Sequence, residues 1–365
     1  MNDNRWSRIE REITATKSES DSTHVSVVWN ESDEHAARVD YTSHSILTEY
    51  LSDAEKSDFT TGLRDVGVEV DVFEGERSFI AAVLSGEWDS IRAKNKYVFN
   101  TTGSGTGRAR TSLIPAFCDL SQISLCSADG LSAAVLEQKF YAFRILETFG
   151  LPIPKTHLFD RIEGWITMPP PHGTKVISKP SRECASIGVD PSSVFIYDES
   201  KDAELLAKSI CFMQPILVQQ FIPGYEVEVP IIPTPAATAP TAVGVKLEDD
   251  RLLGDAILTN EKIERENYSF YDFAELDEYL SNEIKSIAER AYRNLRITGL
   301  SRVDFRVTAE GTPFITDFNT PPHLTLHSAF WFAFQLRGLR YQDLMASLIS
   351  VGRLNLKNST KSVDR

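Results

Sequence analysis

An α/β protein of more than one domain is predicted by three features of the chain. Its 365 residues, 42% of them hydrophobic, can bury more than one core. Between His24 and Asn100, short β-rich runs alternate with helical stretches, the signature of a parallel sheet. Residues 301 to 319, SRVDFRVTAEGTPFITDFN, read instead as two strands around a turn, so an antiparallel sheet follows.

The elements follow in order. Residues 1–22 are polar and charged and are expected to be a disordered tail, as are residues 353–365. His24–Trp29 is a first strand, a helical stretch follows, Val68–Phe73 is a second strand after the Gly67 turn, and Lys96–Asn100 is a third. Ligands bind such sheets at the carboxyl ends of the strands. The loop there, Thr101 to Arg110, offers glycines for close backbone approach, with Arg108 and Arg110 as candidate carboxylate holders. Its spacing is neither a P-loop nor a dinucleotide fingerprint. One long helix is predicted from Asp129 through Leu146, stopped by Gly150-Leu151-Pro152. Strand Lys175–Pro180, a polar loop Ser181–Gly188 and strand Ile216–Ile222 form a further unit. A helix from about Leu276 to Leu295, the hairpin and a helix from Ser328 complete the chain.

In the hairpin, period-two alternation puts Arg302, Asp304 and Arg306 on one face and groups Ile315, Asp317 and Asn319 on another. Pairing Val307 with Phe314 sets Asp304 opposite Asp317 and Arg302 opposite Asn319. Like charges directly opposite repel. Two carboxylates and an amide so placed are poor structure, but hard oxygen donors suit Mg²⁺ carrying nucleotide phosphates. The other reading is a solvated polar face.

The net charge of −14 argues against nucleic acid or an anionic membrane as the main partner. Cys118, Cys126, Cys184 and Cys211 show no metal-ligand spacing and no disulfide framework, which fits a reducing cytoplasm. The charged N-terminus has no apolar export segment, and no run reaches the ~20 apolar residues of a membrane span.

Four segments, ADGLSAAVLEQK ending at Lys139, KPSRECASIGV at 179–189, ILVQQFIPGYEVEV at 216–229, and SRVDFR with FITDFNTPPHLTLHS, together resemble the ATP-grasp carboxylate-amine ligases. Within that family the resemblance is to the D-alanyl-D-alanine ligase branch, from about Val68 to Leu348. It implies three domains: an N-terminal pre-ATP-grasp parallel α/β domain (23–127), a central lid domain (128–222) and a C-terminal antiparallel α+β domain (223–352).

The resemblance also implies roles. Lys139 and Lys179 match lysines that hold nucleotide phosphates, and Ser186 lies in the lid loop over them. Gln219, Gln220, Phe221 and Ile222 match the linker that cups adenine, and Glu226 the carboxylate on the ribose. Lys262 matches a phosphate-contacting lysine, with a surface charge as its alternative. Arg302 matches the arginine that stabilises acyl phosphate and oxyanion, a role its planar fork suits. Asp304, Asp317 and Asn319 match ligands of Mg²⁺, two ions with Mn²⁺ as an alternative. Ser328 matches a hydroxyl that holds the second substrate's carboxylate, against a plain helix cap.

Departures bear on the substrates. The glutamate-bearing N-terminal segment of the true ligases is not reproduced by Trp29-Asn30-Glu31-Ser32. Ala185 and Ile263 stand where a serine and a tyrosine would, His323 stands for a glycine near the acceptor site, and Asp317 is shorter than the usual glutamate. Gln219 and Gln220 replace a glutamate and a lysine. Arg108 or Arg110 could hold a substrate carboxylate instead. His323 and His327 invite zinc or acceptor-pocket lining, and Phe330, Trp331, Phe332 and Phe334 are expected in a core.

The implied activity is an ADP-forming ligation of a carboxylate to an amine, both amino acids or short peptides. Rivals are a ligase or kinase acting on a non-amino-acid carboxylate, and a degenerate nucleotide-binding regulatory protein. Dimerisation through the N-terminal domain is implied by the resemblance alone.

Overall fold

Three sheets organise the computed structural model, which describes residues 2–30, 51–105, 107–234 and 236–360. The first is parallel, ordered β2-β1-β3-β4, from β1 (Thr23–Trp29), β2 (Glu69–Glu74), β3 (Asn95–Asn100) and β4 (Ser124–Leu125). Strand β1 is buried along its whole length, its polar Thr23, His24 and Ser26 included, as befits a strand inside a parallel sheet. The first part of the helical stretch expected after β1, and Glu31-Ser32, lie outside the described residues.

The second sheet is antiparallel, ordered β6-β5-β9-β7-β8, with β5 (Thr156–Asp160), β6 (Gly164–Trp165), β7 (Lys175–Pro180), β8 (Val194–Ile196) and β9 (Ile216–Gln220). The third is also antiparallel, ordered β13-β12-β10-β14-β15. It comprises β10 (Tyr225–Pro233), β12 (Val243–Lys246), β13 (Ser269–Asp272), β14 (Ser301–Val307) and β15 (Pro313–Asn319), with β11 (Ala237–Thr238) paired to β10. Helix Glu278–Asn294 covers its outer face with Ile284, Ile287, Ala288 and Ala291, one stripe at helical spacing.

Both tails need correction. Asn2–Lys17 is a helix whose Trp6, Ile9 and Ile13 are buried against the last helix, Tyr341–Thr360. Arg5 pairs with Glu289 at 2.8 Å, and Trp6 meets the Phe334 ring edge-on at 5.4 Å. The i, i+3, i+7 spacing of three apolar residues suffices to seat an otherwise polar helix. At the other end the last helix runs on to Thr360.

The single helix expected from Asp129 is two, Gly130–Glu137 and Lys139–Thr148, parted at Gln138 (φ −90°, ψ 73°). The break puts Lys139 at a helix start, where its amide reaches the Ser181 carbonyl. Phe330 and Phe334 are fully buried, with Trp331 and Phe332 packed against the same cluster.

Candidate active site

The second and third sheets face each other across a cavity of about 180 Å³, lined by Lys139, Lys179, Gln219, Phe221, Glu226, Glu228, Arg302, Asp304, Arg306, Asp317 and Asn319, among others. The hairpin β14–β15 supplies its acidic wall. Asp304 faces Asp317 and Arg302 faces Asn319, the expected pairing, but Val307 meets Pro313 rather than Phe314. A β-bulge between the two halves accounts for the difference. Thr316 is the extra residue, so Ile315 points into the core (0% exposed) while Asp317 and Asn319 stand on the site face. The expected grouping of Ile315 with Asp317 and Asn319 is therefore wrong, because strict period-two alternation does not cross a bulge.

Each carboxylate is already met by a cation. Lys139 Nζ lies 2.7 Å from both oxygens of Asp317. Arg302 grips Asp304 through Nε and Nη2 at 2.7 and 2.8 Å, and Asn319 Nδ2 donates to Asp304 Oδ2 at 2.9 Å. Burial works against Lys139 as an ammonium, yet Asp317 raises its pKa above the ordinary value. Burial likewise opposes the Asp317 carboxylate, and Lys139 and Lys179 lower it. Lys179 is lowered by burial, and its Nζ donates to the Thr316 carbonyl at 2.8 Å, the group that the bulge exposes.

Phe221 is buried beneath two cations, with Lys175 Nζ 5.2 Å and the Arg306 guanidinium 5.4 Å from its ring centre. Arg306 also donates to the Ile222 carbonyl at 2.9 Å and to Glu226 Oε2 at 3.0 Å. Burial raises the pKa of Glu226 against the pull of Arg306. Gln219 lines the cavity but spends its amide on Thr156 Oγ1 at 3.0 Å, and the side chain of Gln220 is exposed. In the lid loop, Ala185 and Ser186 both adopt left-handed backbone (φ 49° and 53°), and Ser186 Oγ donates to the Leu258 carbonyl at 2.9 Å. Gly188 (φ 74°) is required there, since a Cβ would come within 2.7 Å of Phe212 and Pro180.

Three expected residues, Lys262, Arg110 and Ser328, fall outside this cavity. Lys262 lines a neighbouring groove, its Nζ on the Ile257 carbonyl at 3.1 Å, while Ile263 lines the cavity itself. Arg110 is buried, with Nη2 on Glu183 Oε2 at 3.0 Å, Nη1 on the Gly105 carbonyl at 3.0 Å and Nε 3.3 Å from Glu137. It clasps the glycine-rich loop to the lid loop, and its donors are spent on internal partners here. Ser328 caps helix Ala329–Leu336, accepting from Trp331 N at 3.2 Å and donating to the Thr325 carbonyl at 2.7 Å.

His323 and His327 go to different neighbours, Glu55 at 3.6 Å and Glu266 at 3.9 Å, and among the described residues no group of three acidic, histidine or cysteine side chains forms a metal cage. The two histidines are therefore not brought onto one shared ligand point in this structure. His323 lines a second cavity of about 100 Å³ at the carboxyl ends of β1 and β3, with Leu51, Phe59, Phe99, Leu324 and the buried Asn30. Asn30 Oδ1 has no hydrogen-bond partner among the described residues.

Sequence reasoning left Glu228 unassigned. It sits two residues from Glu226 on the same face of β10, directly across from Asp304, with Oε2 3.3 Å from Arg302 Nη1. The alternation Glu226-Val227-Glu228 signalled it.

The cavity lies between two antiparallel sheets, with lysines and arginines interleaved among its carboxylates, and this architecture is that of the ATP-grasp fold. The solved structures agree on the fold. The D-alanine–D-alanine ligase of Bacillus anthracis complexed with ATP aligns with a TM-score of 0.68 at 14% identity, covering 92% of this chain and 99% of that one. The enzyme from Coxiella burnetii aligns at 0.64 and 16%, covering 94% and 98%.

Residues 143–350 match the family described as D-ala D-ala ligase C-terminus, more than half of the chain, and the protein belongs to that family. It is 27% identical over 220 residues to a D-alanine–D-alanine ligase of Bordetella petrii, covering 60% of this chain and 65%, just under two thirds, of that relative. The Bordetella pertussis enzyme of the same name is 25% identical over 301 residues, covering 82% and 89%.

Proposed function

We propose that the protein is an ATP-dependent, ADP-forming ligase that activates a carboxylate as an acyl phosphate and passes the acyl group to an amine. The observation that carries this reading is the pairing of Asp304 with Asp317 in one cavity that also holds Lys139, Lys179, Arg302 and Asn319. Family membership and the relatives' shared name support it.

The donor set fits Mg²⁺: two carboxylates and an amide, all hard oxygen ligands and too few to enclose an ion, suit a metal whose other positions are filled by phosphate oxygens and water. When bound, the metal neutralises charge on the phosphoryl group being transferred. We read two such ions, with Mn²⁺ as a substitute. Asp304, Asp317 and Asn319 hold the metal side. Lys139 and Lys179 turn from Asp317 and the Thr316 carbonyl toward phosphate oxygens. Phe221 and Ile222 flank the adenine, and Glu226, steadied by Arg306, takes the ribose hydroxyls. The Arg302 fork faces the carboxylate being phosphorylated and later the tetrahedral oxyanion.

The chain divides, on this reading, into domains at 23–127, 128–222 and 223–352, and works in the cytoplasm, where its four free cysteines stay reduced. The substrates are amino acids or short peptides other than a pair of D-alanines. Ala185 and Ile263 leave no hydroxyls for a serine–tyrosine network, and the second cavity, walled by Leu51, Phe59, Phe99 and Leu324, suits an apolar side chain larger than a methyl, with Asn30 Oδ1, unpartnered among the described residues, placed to accept from an ammonium.

The test is ADP release with ATP, Mg²⁺ and pooled L- and D-amino acids, with and without hydroxylamine. Stimulation by two amino acids without hydroxylamine supports the ligase. ADP formation that requires hydroxylamine makes the protein a carboxylate kinase.

A further inference from the structure

We propose that Glu228 is a positioning residue, which keeps Arg302 in place over the reacting carboxylate when Asp304 turns to a divalent cation. The inference rests on the ligase reading for the reaction, but it concerns a residue to which that reading gives no role.

Charges are matched along a single sheet face. Arg306 is paired with Glu226 at 3.0 Å. Arg302 has two carboxylate partners, Asp304 through Nε and Nη2 and Glu228 through Nη1. Asp304 has two donors of its own, Arg302 and Asn319. A cation that takes Asp304 competes with Arg302 for the same two oxygens. If Asp304 were the only carboxylate in reach, Arg302 would hold it against the metal or lose its place on release. Glu228 removes that conflict by leaving Arg302 a partner on its far side.

Its position is suited to the task. Strand β10 lies between β12 and β14 at the middle of the sheet, and the register Glu228↔Asp304, Pro230↔Arg302 fixes Glu228 relative to both residues. Glu228 is 7% exposed and the Arg302 side chain 20%, so the contact is partly shielded from water.

The experiment measures Mg²⁺-dependent binding of a non-hydrolysable ATP analogue by calorimetry, with thermal melts as a folding control. With Glu228→Gln, Arg302 falls back on Asp304, and the Mg²⁺ concentration for half-maximal binding rises about tenfold, the scale of a lost charged hydrogen bond. Glu228→Asp keeps the charge but not the reach, so it shifts the midpoint in the same direction and gives the reading should the amide variant fail to fold. In an Arg302→Met background the Glu228→Gln effect disappears, because no arginine remains to compete.

An unchanged midpoint in Glu228→Gln overturns the proposal. So does a wild-type midpoint in Glu228→Asp, or a shift that persists without Arg302, since either would mean that Glu228 acts only through its charge. A wild-type chain that binds no nucleotide at any Mg²⁺ concentration overturns the ligase reading itself, which separates the two failures.

Discussion

Arg302 reaches two carboxylates with one planar group, and no other side chain of its charge has that geometry. Lysine offers a single point of charge on a flexible stem. Arg302→Lys is therefore expected to lower kcat by about 10²–10³-fold, the cost of an oxyanion donor removed from a preorganised site, with the KM for ATP changed only a few-fold. Steady-state kinetics check this. An equal loss in kcat/KM for ATP arising wholly from KM would instead make Arg302 a nucleotide-binding group.

The four site residues of the hairpin could be named from residue type and spacing. Arg110 could not be placed, because an arginine in a glycine-rich loop looks alike whether it awaits a ligand or is bound to Glu183 and Glu137, which are 73 and 27 positions further along the chain. Ser328 illustrates the same limit: a serine before an apolar run reads as a helix cap, and the structure uses it so.

At the scale of the element, the bulge in β15 decides what the hairpin presents. Pairing that was legible at Asp304/Asp317 fails at the turn, since Ile-Thr-Asp carries no mark of an inserted residue. The bulge frees the Thr316 carbonyl for Lys179. Deleting Thr316 should leave Asp304 opposite Asp317 in a regular ladder while removing that anchor. ATP binding is expected to weaken by about tenfold with the thermal midpoint little changed. A collapse of the fold would show that the bulge serves packing instead.

The parallel sheet carries a pH-dependent contact of its own. His24 on β1 meets Asp71 on β2 at 2.8 Å. Burial lowers the imidazole pKa, and Asp71, aided by Glu69, more than offsets this, so the folded value lies above 6.5. A raised pKa means that the protonated pair stabilises the fold below the unfolded value and that this contribution is lost as pH rises through the folded one. Asp71→Asn should thus destabilise the protein below the unfolded imidazole's pKa, with the difference fading in denaturant titrations as pH rises through the folded one.

At the scale of the whole molecule, the first and last helices close the fold. The Asn2–Lys17 helix was hidden by its polarity, since Trp6, Ile9 and Ile13 are its buried hydrophobic residues among those described. Trp6→Ala is expected to cost about 3–5 kcal/mol of stability, the range for removing a buried aromatic ring, and an unchanged melt would mean that the helix is dispensable. The alternation of strands and helices announced an α/β chain and the hairpin announced an antiparallel sheet. The facing of the second and third sheets across the central cavity depended on contacts between residues as distant as Lys139 and Asp317, which no local pattern encodes.

The same long-range assembly brings the Arg110 clasp, the lid loop and the acidic hairpin around one cavity, and the central claim is that this cavity makes an amide at the expense of ATP. Mass spectrometry of the protein incubated with ATP, Mg²⁺ and pooled amino acids tests that claim directly. The account predicts a new species equal in mass to two substrates less water, formed in step with ADP. ADP formed without any condensed product, under conditions where the amino acids stimulate its release, would contradict it.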